Sequence, residues 1–244
     1  MVVASAGHRQ RVAQLVAAHG PDVGRLCDAC VSGLPGVDGA GLTVMASVPV
    51  QQVRYASDSI STRIEELQVT LGEGPCQDAH AGGEPVLAAD LGAVVWRQRW
   101  PVFTPGALGA GAAALFALPL RVGVVRLGVL DLYRLRPGVL AGEQLAEALA
   151  FADAALELLL AEQMPGAAVA GSEQLFTHRA VVHQATGMIS GQLGIPMAQA
   201  FLRLRARAYA GEQGLEELAG EVVARRLRFD EPDGSAAGAP DSSR

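Results

Sequence analysis

The sequence contains no lysine and no asparagine, and all 19 of its basic side chains are arginines. This bias is expected when AT-rich codons are scarce, so it indicates a GC-rich genome and says nothing about function. Three cysteines are too few for a disulfide framework. No apolar run reaches the roughly 18 to 20 residues that cross a bilayer. We therefore expect a cytoplasmic protein with reduced thiols and no membrane partner.

Acidic side chains outnumber basic ones, but the excess is unevenly distributed along the chain. Half of the 244 residues are hydrophobic, which is enough for one or two domains with real cores. The net charge of −6 includes one basic segment, 173–229, which carries seven arginines against five acidic residues. A small local excess of this kind gives weak support for a nucleic-acid partner.

The motifs of common enzymes are also missing. We find no clustered carboxylate pair, nucleophile elbow, Walker-type loop or H-E-x-x-H, and the five histidines are dispersed. Cys27 and Cys30 form a single C-x-x-C, but they share a helical stripe with Val23 and Leu26, which favours core packing over zinc or redox chemistry. The sequence predicts no catalytic residue, no metal site and no cofactor.

Periodicity predicts an α+β region up to residue 163. A helix over 9–34, broken near Pro21, precedes two β segments that suit a hairpin. A helix follows, with Ser61 or Thr62 as its cap. Strands over 112–120 and 125–134 are expected to pair antiparallel, after a glycine-rich surface connection at 106–111, and a long helix covers 141–163.

The C-terminal part reads as a separate, all-helical unit. Residues 164–172 are rich in small residues and proline, as is typical of a linker. Three amphipathic helices are predicted at about 173–193, 196–210 and 214–228. Residues 230–244 have no apolar face and are predicted to be a disordered acidic tail.

The second of these helices contains arginine at every second position in FLRLRARAYA. Met197, Ala200, Phe201, Leu204 and Ala208 nevertheless fall on one helical arc, which excludes the strand that the alternation suggests. On this helix Arg203 and Arg207 share one flank of the apolar stripe. Arg205 and Tyr209 lie on the other flank, four residues apart, where a guanidinium and an aromatic ring suit phosphates and unstacked bases. Without further information, solvated arginines that cover apolar edges are the commoner case.

Residues 173–229 resemble the ANTAR domain, a three-helix RNA-binding module of bacterial transcription antiterminators. The resemblance is carried by Arg179, QATGMI, the LG turn at 193 and 194, AFLRLRARA and LEELAGEVV, and it suggests an actinobacterial type. Thr186 stands where these domains commonly have lysine.

The resemblance implies binding of a dual stem-loop RNA that prevents a terminator from forming. The expected RNA-binding residues are Arg179, His183, Thr186, Arg203, Arg205, Arg207 and Tyr209. The alternative is a DNA-binding regulator of the helix-turn-helix type with a GAF sensor domain, although several glutamates on the third helix disfavour phosphate contact.

The region before the linker, taken as 9–163, resembles GAF domains through GAGLTV, LGEGPCQDA, RWPVF, LFALPLR and LGVLDLYR. The resemblance implies an antiparallel sheet flanked by helices and an unidentified small-molecule ligand. The expected sensor pocket includes Cys76, Gln77 and Trp96, and Cys76 at a helix start is either a buried structural residue or a thiol of lowered pKa. The apolar stripe at 145–159 is long enough to predict a homodimer.

Overall fold

The computed structural model describes residues 6–45, 51–162, 172–211 and 213–229. The elements, in chain order, are α1 Ala6–His19, α2 Val23–Gly33, β1 Gly39–Met45, β2 Gln51–Ala56, α3 Ser59–Leu71, α4 Pro75–Gly82, β3 Val86–Ala88, α5 Val94–Arg99, α6 Phe103–Ala110, β4 Ala114–Val122, β5 Val125–Arg134, α7 Gly142–Glu162, α8 Ser172–Leu193, α9 Met197–Ala210 and α10 Leu215–Val223. In these ranges no helix is long and apolar enough to cross a membrane.

The described strands form one antiparallel sheet in the order β2-β1-β5-β4-β3. The predicted hairpins, β1 with β2 and β4 with β5, are both present. Central strand β5 lies between β1 and β4, so Asp131 is flanked by Gly41 on one neighbour and Ala117 on the other. Two small neighbours leave room beside a carboxylate that would otherwise be crowded.

The sheet has two different faces because side chains alternate along each strand. On β5, Leu130 and Leu132 join α1, α2 and α7 in the larger apolar core. Val129, Asp131 and Tyr133 point to the opposite face, which is covered by α3, α4 and α6. The second face buries the polar side chains of Thr43, Glu65, Gln68 and Asp131.

Helix α3 is fixed at its start by a reciprocal cap. Asp58 is the N-cap: its Oδ1 accepts a hydrogen bond from the Ser61 amide at 2.8 Å, and the Ser61 hydroxyl accepts one from the Asp58 amide at 2.9 Å. Ser61 is therefore the third helical residue, and the prediction of Ser61 or Thr62 as the cap was wrong. The Tyr133 hydroxyl donates to Asp58 Oδ2 at 2.8 Å, which ties α3 to β5.

The C-terminal helices α8, α9 and α10 form a compact bundle with its own apolar core. Ala185, Ile189, Leu204, Ala219 and Val222 are all fully buried there. Pro196 is the N-cap of α9, and Ala200, Phe201, Leu204 and Ala208 are its buried residues, so the predicted helical arc is confirmed. The fold class predicted from the sequence, an antiparallel sheet flanked by helices followed by a three-helix bundle, is confirmed.

Two local predictions are corrected. Most of the glycine-rich stretch at 106–111 belongs to α6, whose inner side packs into the core through Phe103 and Ala107. The stripe at 145–159 packs within its own domain, with Ala152, Leu156 and Leu159 buried against the larger core. The predicted linker, apart from Ser172 at the start of α8, and the predicted tail lie outside the described residues.

Candidate functional site

The helical bundle contacts the N-terminal domain through helices α3 and α9. Val69 near the end of α3 packs against the core of the bundle. From the other side, Arg205 of α9 donates a hydrogen bond from Nε to the carbonyl oxygen of Thr70 at 2.7 Å. A predicted RNA-binding residue therefore contacts the domain that the sequence predicts to be a sensor.

The C-terminal end of α3 is shaped to accept this arginine. Gly72 caps the helix with φ of 67°, and a Cβ atom at this position would overlap the Arg205 guanidinium. The guanidinium also lies over the Phe201 ring, with Cζ 5.7 Å from the ring centroid. Burial lowers the pKa of Arg205 from its usual value. Its partner is a carbonyl oxygen that would otherwise be unpaired at the helix end.

The remaining predicted RNA-binding residues divide into exposed and buried ones. Arg203, Arg207 and His183 are exposed, and Tyr209 is 54% exposed. Thr186 is fully buried and its hydroxyl donates to the Val182 carbonyl at 2.7 Å, so in this arrangement it offers no surface to RNA. Arg179 lies in α8, but its side chain is outside what the structure describes.

A groove of about 460 Å³ opens between the end of α9 and the residues that follow α10. Arg207 and Arg226 both line it, and the Arg207 guanidinium lies 5.8 Å from the Phe229 ring centroid. Arg226 makes two 2.8 Å hydrogen bonds to Glu221, which neutralise part of its charge. Arg207 is thus the arginine of this groove with an aromatic partner instead of an acidic one.

A second polar centre lies inside the N-terminal domain, on the face of the sheet covered by α3 and α4. The donor atoms of Glu65, Cys76 and Asp131 lie within 4.8 Å of one another. These side chains are at most 2% exposed. Glu65 and Asp131 were not expected from the sequence as site residues.

Each carboxylate of this cluster is held by one neutral donor. The Thr43 hydroxyl donates to Glu65 Oε2 at 2.7 Å, and Gln68 Nε2 donates to Asp131 Oδ2 at 2.9 Å. When both carboxyl groups are ionised, the other two oxygens, Glu65 Oε1 and Asp131 Oδ1, are buried and have no hydrogen-bond donor among the described residues. Gln68 also accepts from the Cys76 amide at 2.7 Å, so it links the two sides of the cluster.

Burial dominates the proton affinities in this cluster. It raises the pKa of Glu65 well above its usual value, and the nearby charge of Asp131 raises it further. It also raises the pKa of Asp131, although hydrogen bonds with Glu65, Gln68 and Cys76 oppose the shift. The pKa of Cys76 is raised for the same reasons, by burial first and then by the two carboxylates. This supports the structural interpretation of Cys76 over that of a thiol with lowered pKa.

The three predicted pocket residues do not form one site. Gln77 follows Cys76 on α4, and its Nε2 donates to the Gln68 carbonyl at 3.2 Å. Trp96 belongs to a neighbouring apolar cluster, where its ring stacks on Trp100 with centroids 4.8 Å apart. The structure therefore places Cys76 and Gln77 next to Gln68, and Trp96 in a different cluster.

Cys27 and Cys30 lie in the larger apolar core, as predicted. Both are buried free thiols, and burial raises the pKa of each. A buried pair in an apolar environment is unreactive toward oxidants, which favours the packing role.

Comparison with known proteins finds matches for the helical bundle and for the N-terminal domain. The helical bundle matches the model of the ANTAR domain family over residues 173–223. No curated protein matches the chain.

The solved structures similar to this chain match its N-terminal part. A GAF domain from a phosphoenolpyruvate-protein phosphotransferase of Coxiella burnetii has 14% sequence identity and a TM-score of 0.47, covering 64% of this chain and 94% of that one. The corresponding Acinetobacter GAF domain has 9% identity and a TM-score of 0.47, covering 65% and 96%. Free methionine-R-sulfoxide reductase of Neisseria meningitidis, solved with its substrate, has 18% identity and a TM-score of 0.42, covering 67% and 96%.

The N-terminal domain is an antiparallel sheet between two layers of helices, and the C-terminal helices are separate from it in sequence and in core. The chain carries an ANTAR domain, matched over residues 173–223, C-terminal to the domain that contains the sheet.

Proposed function

We propose that this protein is a signal-responsive regulator that binds a dual stem-loop RNA through its ANTAR domain and promotes transcription antitermination. The match of residues 173–223 to the ANTAR family carries the proposal, because ANTAR domains are RNA-binding modules of antitermination regulators. The basic excess of residues 173–229 and the exposed Arg203 and Arg207 on α9 support it. A regulator of this kind has no need of catalysis.

The contact between the two domains supplies the regulatory part of the proposal. Arg205 binds the Thr70 carbonyl through the same guanidinium that would bind a phosphate. Docking also half-buries Arg205 against the C-terminal end of α3, so the docked bundle would compete with RNA for access to this guanidinium. A small-molecule signal in the N-terminal domain would act by weakening this docking.

The first experiment compares RNA and DNA with the full chain. We expect a paired stem-loop RNA to bind more tightly than a single stem-loop, and both to bind more tightly than duplex DNA of equal length. Fluorescence anisotropy at two or more salt concentrations measures all three, since phosphate contacts make affinity depend on salt. Tighter binding to duplex DNA would instead support the helix-turn-helix alternative.

The second experiment tests the role of Arg205. Arg205→Ala is expected to weaken RNA binding more than Arg203→Ala, with the circular dichroism spectrum unchanged. Because Arg205→Ala also removes the contact to Thr70, both changes are repeated in a Val69→Ser background, in which docking is already weakened. Arg205→Ala should then reduce RNA affinity more in the Val69→Ser background than in the wild-type background. An equal reduction in both backgrounds would contradict competition between docking and RNA.

A homodimer stays a prediction. The apolar stripe that suggested it is buried within the N-terminal domain. The remaining argument is that a paired RNA has two stem-loops, which could each bind the bundle of one protomer. Light scattering of the full chain with and without the paired RNA measures the stoichiometry directly.

A further inference from the structure

The buried cluster on α3, α4 and β5 has the composition of a metal centre. We propose that Glu65, Cys76 and Asp131 bind one divalent transition-metal ion, and that their donor set favours Zn²⁺. The proposal concerns the N-terminal domain alone and does not depend on RNA binding.

The first argument is the pair of open oxygens. When both carboxyl groups are ionised, Glu65 Oε1 and Asp131 Oδ1 are buried without a hydrogen-bond donor among the described residues, although the second oxygen of each carboxylate has one. Buried carboxylate oxygens are normally satisfied, and leaving one open is costly. A cation between the two carboxylates would satisfy both oxygens at once.

The second argument is the supporting shell. Thr43 and Gln68 each hold one carboxylate through its far oxygen, and Gln68 also accepts from the amide of Cys76. Ligands of protein-bound metals are usually held in this way by neutral partners that fix their orientation. Three ligands from three different elements are therefore already oriented before an ion arrives.

The third argument is size. Three donor atoms within 4.8 Å of one another leave space for one atom at their centre after a small contraction, since Zn–S and Zn–O distances are about 2.3 Å and 2.0–2.2 Å. Gly41 closes one side, where a Cβ atom would overlap Glu65 Oε1. The spacing of the three donor atoms therefore suits a single ion.

In the metal-free protein, protons would take the place of the ion. One carboxyl group can share a proton with the other, and the thiol carries its own. Binding of Zn²⁺ would release the Cys76 proton and the shared carboxyl proton to solvent, so the ion replaces protons without oxidation or reduction. The competing explanation is that the cluster binds no metal ion and that the shared proton alone stabilises the two carboxyl groups.

The test titrates metal-stripped full-length protein with Zn²⁺ in competition with a chromophoric chelator, and repeats the titration with Co²⁺. We expect one equivalent of Zn²⁺ per chain, a higher melting temperature, and a sulfur-to-cobalt charge-transfer absorption. Cys76→Ser and Glu65→Gln should each weaken binding more than about 100-fold, and Thr43→Val about tenfold, as expected for an outer partner.

Cys27→Ala is the matched control, since it removes a buried thiol from the other candidate motif. It should leave the stoichiometry, the affinity and the cobalt absorption unchanged. If Cys76→Ser does not fold, the cobalt spectrum of the Cys27→Ala protein still decides the question.

Two results would overturn the proposal. One is a folded, stripped protein that takes up no Zn²⁺ or Co²⁺, which leaves the proton as the occupant. The other is a stoichiometric site that survives Cys76→Ser and disappears in Cys27→Ala, which would assign the metal to the C-x-x-C.

Discussion

The two domains place their polar groups in opposite ways. The N-terminal domain buries Glu65 and Asp131 beneath its sheet, whereas the ANTAR bundle has a core of apolar side chains and Thr186, with Arg203 and Arg207 exposed. A buried acidic centre suits a small cation or a proton, and an exposed basic surface suits a polyanion. Arg205 is half-buried between the two domains, where it belongs to the bundle and binds the Thr70 carbonyl of the N-terminal domain.

The largest effect is expected from damage to the core of the bundle alone. Ile189→Ala removes a fully buried side chain and should cost about 2–5 kcal/mol of unfolding free energy in the bundle. A core this small is marginal, so RNA binding should be lost while the N-terminal domain stays folded. Scanning calorimetry should show that only one of two transitions shifts. A single transition that shifts as a whole would show that the domains do not fold independently.

A stabilising effect is expected in the other domain. Without metal at pH 7, Glu65→Gln should stabilise it by about 1–3 kcal/mol, because the amide can donate to the open oxygen of Asp131. The pKa of Glu65 is raised in the folded state. The stability that protonated Glu65 contributes is therefore fully present below the unfolded pKa of about 4.3, and it is lost as pH rises through the folded pKa. The advantage of the variant should therefore shrink toward acidic pH. Urea unfolding of both proteins with chelator from pH 4 to 8 measures this, and a constant difference would contradict the assignment.

A moderate effect is expected at the contact between the domains. Val69→Ser removes apolar contact with the bundle worth about 1 kcal/mol, so RNA affinity should rise roughly fivefold if docking competes with RNA. Val124→Ser is the matched control, because Val124 is 91% exposed in the β4–β5 turn. Equal RNA affinity of the two variants in an anisotropy titration would speak against competition.

The smallest effect is expected from a single exposed arginine. Arg203→Ala should weaken RNA binding a few-fold at low salt and reduce the slope of log affinity against log salt by about one. Arg121→Ala, an exposed arginine on β4 of the other domain, is the control and should change neither quantity. An unchanged slope for Arg203→Ala would remove it from the interface.

Local sequence patterns determined most of the fold, because helix and strand periods are properties of short segments. The break at Pro21, the β4–β5 hairpin and the buried arc of α9 were all readable in this way. The cap of α3 was misplaced by three residues, since Asp58 and Ser61 form a reciprocal cap in which either one resembles the N-cap. The stretch at 106–111 was mistaken for a loop because its glycines outweighed the apolar residues that anchor α6.

The candidate sites were less readable, because they depend on contacts distant in sequence. Glu65 and Asp131 are 66 positions apart and meet only when α3 packs on β5. The available signal was an aspartate within the apolar strand LGVLDLY, where a charge needs a partner. Arg205 was placed correctly on its helix, but a single-helix argument cannot reveal that Thr70 of another domain occupies it.

Hydrogen–deuterium exchange at the C-terminal end of α3 tests the central claim most directly. The claim is that the bundle docks on Val69 and Thr70 through Arg205, and that RNA competes for this arginine. Paired stem-loop RNA should therefore slow exchange in α9 and accelerate it in the last turn of α3, as the bundle leaves. Slower or unchanged exchange in that turn of α3, with RNA bound to saturation, would contradict the account.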